Sequence, residues 1–263
     1  MQVTFADFGE NIASSRLRAA IPQRELAKLG MSKGADVLVY GKHLVPMQMT
    51  KRYGRRVFDI CDNHFSDQFA AYYLEHATKA DLVTCNSEAM REVIRQHTGR
   101  IATVIPDPYE SEEKPAGMGN GLLWFGHQSN LVDLKPYLDL KPEILTGEEW
   151  SRERQLEALE KCAAVLIPTG KSMAKSANRL IEAVRNGRFV IAGDLPAHEE
   201  FRPFMWIGDI RKGVEWFKEN RDSSVPLVRA CQRYIRDKYS PEAIGSLWHD
   251  ALEKLWQSAH LRN

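Results

Sequence analysis

Lys175-Ser176-Ala177-Asn178-Arg179-Leu180-Ile181-Glu182-Ala183-Val184-Arg185-Asn186-Gly187 runs almost directly into the apolar stretch Phe189-Val190-Ile191-Ala192. Ala177, Leu180, Ile181 and Val184 recur at helical spacing, so the segment reads as a helix with one buried face. Lys175, Asn178 and Glu182 fall on a different stripe, three and then four residues apart. Gly187 ends the helix, and a strand follows at once. A cation near the helix start, free N–H groups in the first turn and a carboxylate further along suit a nucleotide. The first two can hold a diphosphate, and the carboxylate can accept hydrogen bonds from ribose hydroxyls. An ordinary amphipathic helix with a solvated polar face fits the spacing as well.

The helix-then-strand pattern continues outward in both directions. In the first half, strands are expected near 2–6, 36–40, 56–60, 81–85 and 102–105, separated by helices near 15–29, 66–78 and 87–97. Ser87 is a candidate N-cap for the last of these. Pro106-Asp107-Pro108 then stops regular structure, and Tyr109 to Gly121 is rich in Glu, Gly, Pro and Ser. The second half restarts with Leu122-Leu123-Trp124-Phe125 and a loop opening at Gly126, followed by a helix near 149–161 and the buried strand Ala163-Ala164-Val165-Leu166-Ile167. Ser240-Pro241-Glu242 begins a final helix, 241–260, with a wide stripe of Ile244, Leu247, Trp248, Leu252, Leu255 and Trp256. Alternating strands and helices predict an α/β protein with parallel sheets. The expected division is 1–108, a linker over 109–120, 121–240, and a C-terminal helix 241–263 that packs back on the first domain.

Composition sets the class. The 263 residues are 43% hydrophobic and 27% charged, the profile of an ordinary globular chain large enough for two domains. A formal net charge of +1 gives no support for long-range attraction to nucleic acid. The four cysteines, Cys61, Cys85, Cys162 and Cys231, form no C-x-x-C pair and read as buried thiols of a reducing compartment. Met1-Gln2-Val3-Thr4-Phe5 lacks the build of a signal peptide, and no apolar run approaches the roughly 20 residues that span a bilayer. A cytoplasmic protein is expected, with room for peripheral membrane contact. The basic run Lys51-Arg52-Tyr53-Gly54-Arg55-Arg56 could touch anionic lipid or another polyanion, or be a solvated loop.

Several polar groups follow strand ends, where open parallel sheets bind ligands. Gly126-His127-Gln128-Ser129-Asn130 offers close backbone approach and a helix start, and Thr169-Gly170-Lys171 lies after the buried strand. Val57-Phe58-Asp59-Ile60-Cys61-Asp62-Asn63-His64-Phe65 places Asp62 and His64 just past another strand. Arg16 and Arg18 are two further cations near the first strand.

The motifs taken together resemble the GT-B glycosyltransferases, and most of all the retaining enzymes grouped as family four. Ser15-Arg16-Leu17-Arg18 with Leu26 and Gly30 is similar to that family's first helix. Ala80-Asp81-Leu82-Val83-Thr84-Cys85-Asn86-Ser87 is similar to its strand and helix start. Val104-Ile105-Pro106-Asp107-Pro108 resembles its hinge, Trp124-Phe125-Gly126 its glycine turn, and Lys175 to Gly187 with Val190-Ile191 its donor-binding segment. The resemblance implies two Rossmann-like domains with an interdomain cleft and a crossover C-terminal helix. It implies transfer of a sugar from a nucleoside-diphosphate sugar to an acceptor such as a glycan or lipid-linked sugar. Neither the base, the sugar nor the acceptor is named by the residues.

By the same resemblance, His64, Lys175 and Arg179 are the candidate catalytic groups. Gly126, His127, Ser129, Asn130, Thr169, Lys171, Lys175, Ser176, Asn178 and Glu182 are candidates for donor binding, and Ser15, Arg16 and Asp62 for the acceptor side. No D-x-D motif or ligand cluster is present, so no metal or other cofactor is expected. The chain departs from the family in three ways. Ala174 stands where the first Glu of a Glu-x7-Glu pair is usual, the Arg and Lys after the glycine turn are missing, and the first half is short. Lys175 and Arg179 are expected to replace the missing cations. Two alternatives stay open: a nucleotide-sugar epimerase or hydrolase on the same fold, and an inactive nucleotide-sugar-binding subunit.

Overall fold

The computed structural model describes residues 1–6, 12–42, 44–117, 119–170 and 173–260. Two compact units emerge. One comprises Met1–Pro108, Ala174–Ser176 and Lys238–Asn263, the other Tyr109–Met173 and Ala177–Asp237.

The first unit holds a parallel sheet of five strands, β1 (Gln2–Phe5), β2 (Ser32–Tyr40), β3 (Arg55–Ile60), β4 (Leu82–Cys85) and β5 (Thr103–Val104), in that spatial order. Strand alternation sends Leu38, Tyr40, Phe58, Ile60, Val83 and Cys85 to one face, against Tyr73 and Ala77 of helix Ala70–Lys79 and Met90 and Ile94 of helix Glu88–Thr98. Val3, Phe5, Val37, Val39 and Val57 point the other way. They meet Leu26 of helix Ile21–Lys28 and Ile244, Trp248 and Leu252 of helix Pro241–His260. Ser87 caps helix Glu88–Thr98 by accepting from the Met90 N–H, and Gly99 closes it at φ 69°. Ser240 caps the last helix in the same manner through the Ala243 N–H.

This strand order differs from a doubly wound sheet, which grows in both directions from its first strand. Here every step moves the same way across the sheet. The helix between β1 and β2 nevertheless covers one face, while those between β3, β4 and β5 cover the other. Crossovers that travel in one direction on opposite faces have opposite hands. The β1–β2 step is the odd one, so it carries the rare left hand. The expected helix over 15–29 is also divided, with a π-helical turn at Arg16–Ala20 before helix Ile21–Lys28.

The second unit has its own five-stranded parallel sheet of β6 (Leu122–Phe125), β7 (Glu143–Leu145), β8 (Ala164–Ile167), β9 (Phe189–Ala192) and β10 (Trp206–Ile207). Their spatial order is β10-β9-β8-β6-β7. Neither edge strand is expected from the sequence pattern. Because β7 and β8 flank β6 on opposite sides, the winding reverses between β6 and β8. The stretch 109–120, expected to be a linker, is counted in this unit. Two helices not expected, Ile210–Glu219 and Arg221–Tyr239, complete it.

One boundary shifts at the most informative segment. The helix begins at Asn178, with Ala177 as its N-cap, and runs to Arg185. Lys175 and Ser176 precede it and belong to the first unit, where Ala174 is buried in the apolar core. Packing of that methyl group takes 174–176 out of helical register, so Lys175 does not share a helical stripe with Asn178 and Glu182. Gly187 ends the helix with φ 76°, and a side chain there would strike the Pro115 carbonyl.

Candidate active site

Ligands of open α/β sheets lie beyond the carboxyl ends of the strands where the winding reverses. In the second unit that place is flanked by Phe125-Gly126 after β6 and Ile167-Pro168-Thr169 after β8. Arg179, the second residue of helix Asn178–Arg185, reaches it. Its Nη1 donates to the Phe125 carbonyl at 3.4 Å, and the guanidinium carbon lies 6.0 Å from the centre of the buried Trp124 ring. A Cβ built on Gly126 would stand 3.2 Å from the same Nη1, so the bare glycine makes room for the guanidinium.

The electrostatics of Arg179 are unusual. Burial pulls its pKa down to about 10, against the attraction of Asp133. It also sits at the positive end of a helix dipole, where a cation is disfavoured. Ala177 offers no side-chain cap, so the first-turn N–H groups add to that positive field. Both influences would be relieved by an anion.

Other groups complete this edge. A Cβ on Gly193, just after β9, would come within 2.4 Å of Thr169 Oγ1, which places that hydroxyl against the β9 loop. His198, buried, binds the Gly193 carbonyl through Nδ1 at 3.1 Å. Burial, with the Arg179 charge nearby, keeps its imidazole below the ordinary value, while its hydrogen bond to Gly193 opposes the shift. His127 and Ser129 are exposed and engage each other: the His127 Nδ1 accepts from the Ser129 N–H at 3.2 Å and lies 2.8 Å from its hydroxyl. They cap the short turn Gln128–Asn130 that leads into the next helix.

Glu182 lies one turn beyond Arg179 and is buried. Its Oε1 receives Arg152 Nη1 at 2.8 Å, the Ser111 hydroxyl and Asn186 Nδ2 at 3.3 Å. Arg152 also donates to Ser111 Oγ at 2.7 Å. Neither Arg152 nor Ser111 is signalled by sequence spacing, because they reach Glu182 from 30 and 71 residues away. Gly193 could have been found, as a glycine directly after an apolar strand.

The remaining candidates divide between the units. Lys175 and Ser176, both half-buried, sit with the first unit, whereas Gly126, His127, Ser129, Asn130, Thr169, Asn178, Arg179 and Glu182 sit with the second. Lys171 lies outside the described residues. In the first unit His64 Nδ1 is 2.6 Å from Asp67 Oδ2, and its ring packs against Phe69 and Tyr73. Asp62 pairs with Lys42 at 2.8 Å, Ser15 is buried, and Arg16 is half-buried. Arg18, the other cation near the first strand, is not a surface residue. It is fully enclosed, with Nε and Nη2 on the two oxygens of Asp59 at 2.9 and 2.6 Å, and Nη1 on Asp107 and on the Ile105 carbonyl. Burial works against its charge, but the two carboxylates outweigh it and hold the guanidinium above its ordinary value.

No protein-family model matches the chain, and no curated protein matches it in sequence. Solved structures do match in three dimensions. Anabaena HepE, in complex with UDP and glucose, is similar at a TM-score of 0.69 and 12% identity, over 96% of this chain and 99% of that one. AviGT4, a glycosyltransferase involved in avilamycin A biosynthesis, is similar at 0.60 and 14% identity, over 98% of both chains. S. aureus TarM is similar at 0.56 and 15% identity over 87% of this chain, which spans 57% of TarM's length. At such identities the likeness is one of fold, and that fold is GT-B.

Proposed function

We propose that this protein is a glycosyltransferase that takes a sugar from a nucleoside-diphosphate sugar. The observation that carries the reading is Arg179, a half-buried cation beside the Phe125 carbonyl at the positive end of a helix with no side-chain cap. A diphosphate bound there is met by the guanidinium and the N–H groups of Asn178 and Arg179. Glu182 accepts from the ribose through Oε2, since the contacts described above converge on Oε1. HepE with UDP bound on the same fold supports a uridine donor as the first to try.

Transfer breaks the bond between the anomeric carbon and the diphosphate oxygen and forms one to the acceptor oxygen. The acceptor proton passes to the departing diphosphate. Negative charge grows on the leaving group, and a preorganised guanidinium in a dry setting stabilises it without reorganisation. In this reading that guanidinium does the work a metal would do, and the anomeric configuration is retained. His64, oriented by Asp67, is assigned to the reacting sugar as a catalytic group, and Asp62, Ser15 and Arg16 to the acceptor side.

A screen of UDP-, GDP-, ADP- and CDP-sugars by thermal shift identifies the donor, because bound ligand stabilises the fold by mass action. With that donor, Arg179→Met is expected to lower turnover by roughly 100- to 1000-fold, as for loss of one oxyanion donor. Proton NMR of the product should report retained configuration, and EDTA should leave the rate unchanged. Inversion, or loss of activity with chelator, overturns those two assignments. One observation favours a second reading, an inactive sugar-nucleotide-binding subunit: Ala174 is buried in apolar core where a carboxylate would otherwise stand. Donor binding without turnover across an acceptor panel would select it.

A further inference from the structure

The segment from Leu44 to Arg56 is built with one side fixed to the first unit and the other left apolar and cationic. Val45 and Tyr53 pack against the core, Thr50 is buried with its hydroxyl on the Met47 carbonyl at 2.8 Å, and Tyr72 donates to the Val45 carbonyl at 3.2 Å. These anchors turn their neighbours outward. Leu44 is 48% and Met49 50% exposed, flanking the exposed Pro46 and Gln48. Exposed large side chains this close together are not needed for folding, since the anchors already hold the segment.

Cations follow these apolar residues directly in the chain. Lys51 and Arg52 are exposed, Arg55 is half-exposed, and none of the three has an ion-pair partner among the described residues. Arg56 is paired with Asp81 and Lys42 with Asp62, so these two add little net charge. Three uncompensated positive charges within five residues stand out in a chain whose formal net charge is +1. Soluble polyanions would use the charges alone. A bilayer surface uses both parts, with aliphatic side chains entering the headgroup boundary while Lys and Arg meet anionic lipid.

We propose that the Leu44–Arg56 segment is a peripheral membrane-docking surface for anionic phospholipid, inserting Leu44 and Met49 and pairing Lys51, Arg52 and Arg55 with lipid phosphates. Each basic residue near such a surface strengthens binding, and the electrostatic part weakens with salt. The surface is independent of the donor-site assignment.

Co-sedimentation of the full-length protein tests it, using vesicles of mixed phosphatidylcholine and phosphatidylglycerol against vesicles of phosphatidylcholine alone. Binding to the mixed vesicles is expected, falling with added salt. Lys51→Glu with Arg52→Glu should weaken it roughly 30-fold or more. Leu44→Ser with Met49→Ser should weaken it about tenfold and leave the salt dependence in place. Circular dichroism melts of both double variants should match the parent, since no anchor is changed. Equal binding to neutral vesicles, or no loss in the charge-reversed variant, would overturn the proposal. Binding to heparin with none to vesicles would also overturn it and assign the basic run to a soluble polyanion.

Discussion

Each unit holds an arginine at least partly out of water, Arg18 buried and Arg179 half-buried, and the two are satisfied in opposite ways. Arg18 meets Asp59 through a two-point fork, then Asp107 and a carbonyl, with Trp248 5.3 Å beneath it. Arg179 has one long bond to a carbonyl, and Asp133 acts on it only as a nearby charge. Desolvation acts on both. The carboxylates overcome it at Arg18, whereas at Arg179 it prevails and the pKa falls to about 10. A buried cation that the protein has paired is a structural joint. A half-buried one left underpaired, against a helix dipole and at the reversal of a sheet, is poised for an anion from outside.

The contrast can be broken at either arginine. Arg18→Met leaves Asp59 and Asp107 buried without their cation and should cost about 3–5 kcal/mol in urea unfolding. Arg179→Met removes a charge that the fold tolerates poorly, so stability should change by less than about 1 kcal/mol. Equal losses in the two variants would erase the distinction. Trp248→Ala tests the joint from its other side: the indole is fully buried and meets Phe5 edge-on at 5.2 Å, so the expected cost is about 3–5 kcal/mol.

Smaller effects sharpen the picture. Gly193→Ala pushes a methyl group into Thr169 and should cost about 1–3 kcal/mol by differential scanning calorimetry, with weaker nucleotide binding. The smallest effect is that of pH. His198 in one unit and His76 in the other are both held below the ordinary value, first of all by burial. The unfolded chain therefore binds their protons first as pH falls below about 6.5. Stability present above that pH is lost on acidification, by at most about 1.4 kcal/mol per pH unit for each histidine. His198→Gln should flatten that slope, and an unchanged slope would contradict the assignment.

What the sequence carried was the periodic part. Short apolar runs disclosed β1 to β6, β8 and β9, and the caps at Ser87 and Ser240 were legible because local chemistry decides them. β7 and β10, at three and two residues, were missed, β7 because it sits in no longer apolar run. The start of helix Asn178–Arg185 was misjudged because a tertiary contact, burial of Ala174 in the first unit, overrides the local pattern. Arg18 looked like Arg16 in sequence, and only partners at positions 59 and 107 separate a joint from a surface cation. The left-handed β1–β2 crossover is likewise invisible, since handedness depends on which face each helix covers.

Calorimetric titration of UDP into the parent protein, Arg18→Met and Arg179→Met, each first checked for folding, tests the central claim most directly. The account predicts that Arg179→Met stays folded and loses at least about tenfold in affinity, the worth of one charge-assisted contact. Arg18→Met, where it folds, should keep parental affinity. Unchanged UDP affinity in a folded Arg179→Met protein would contradict the account, because the anion would then be held without the cation that defines the site.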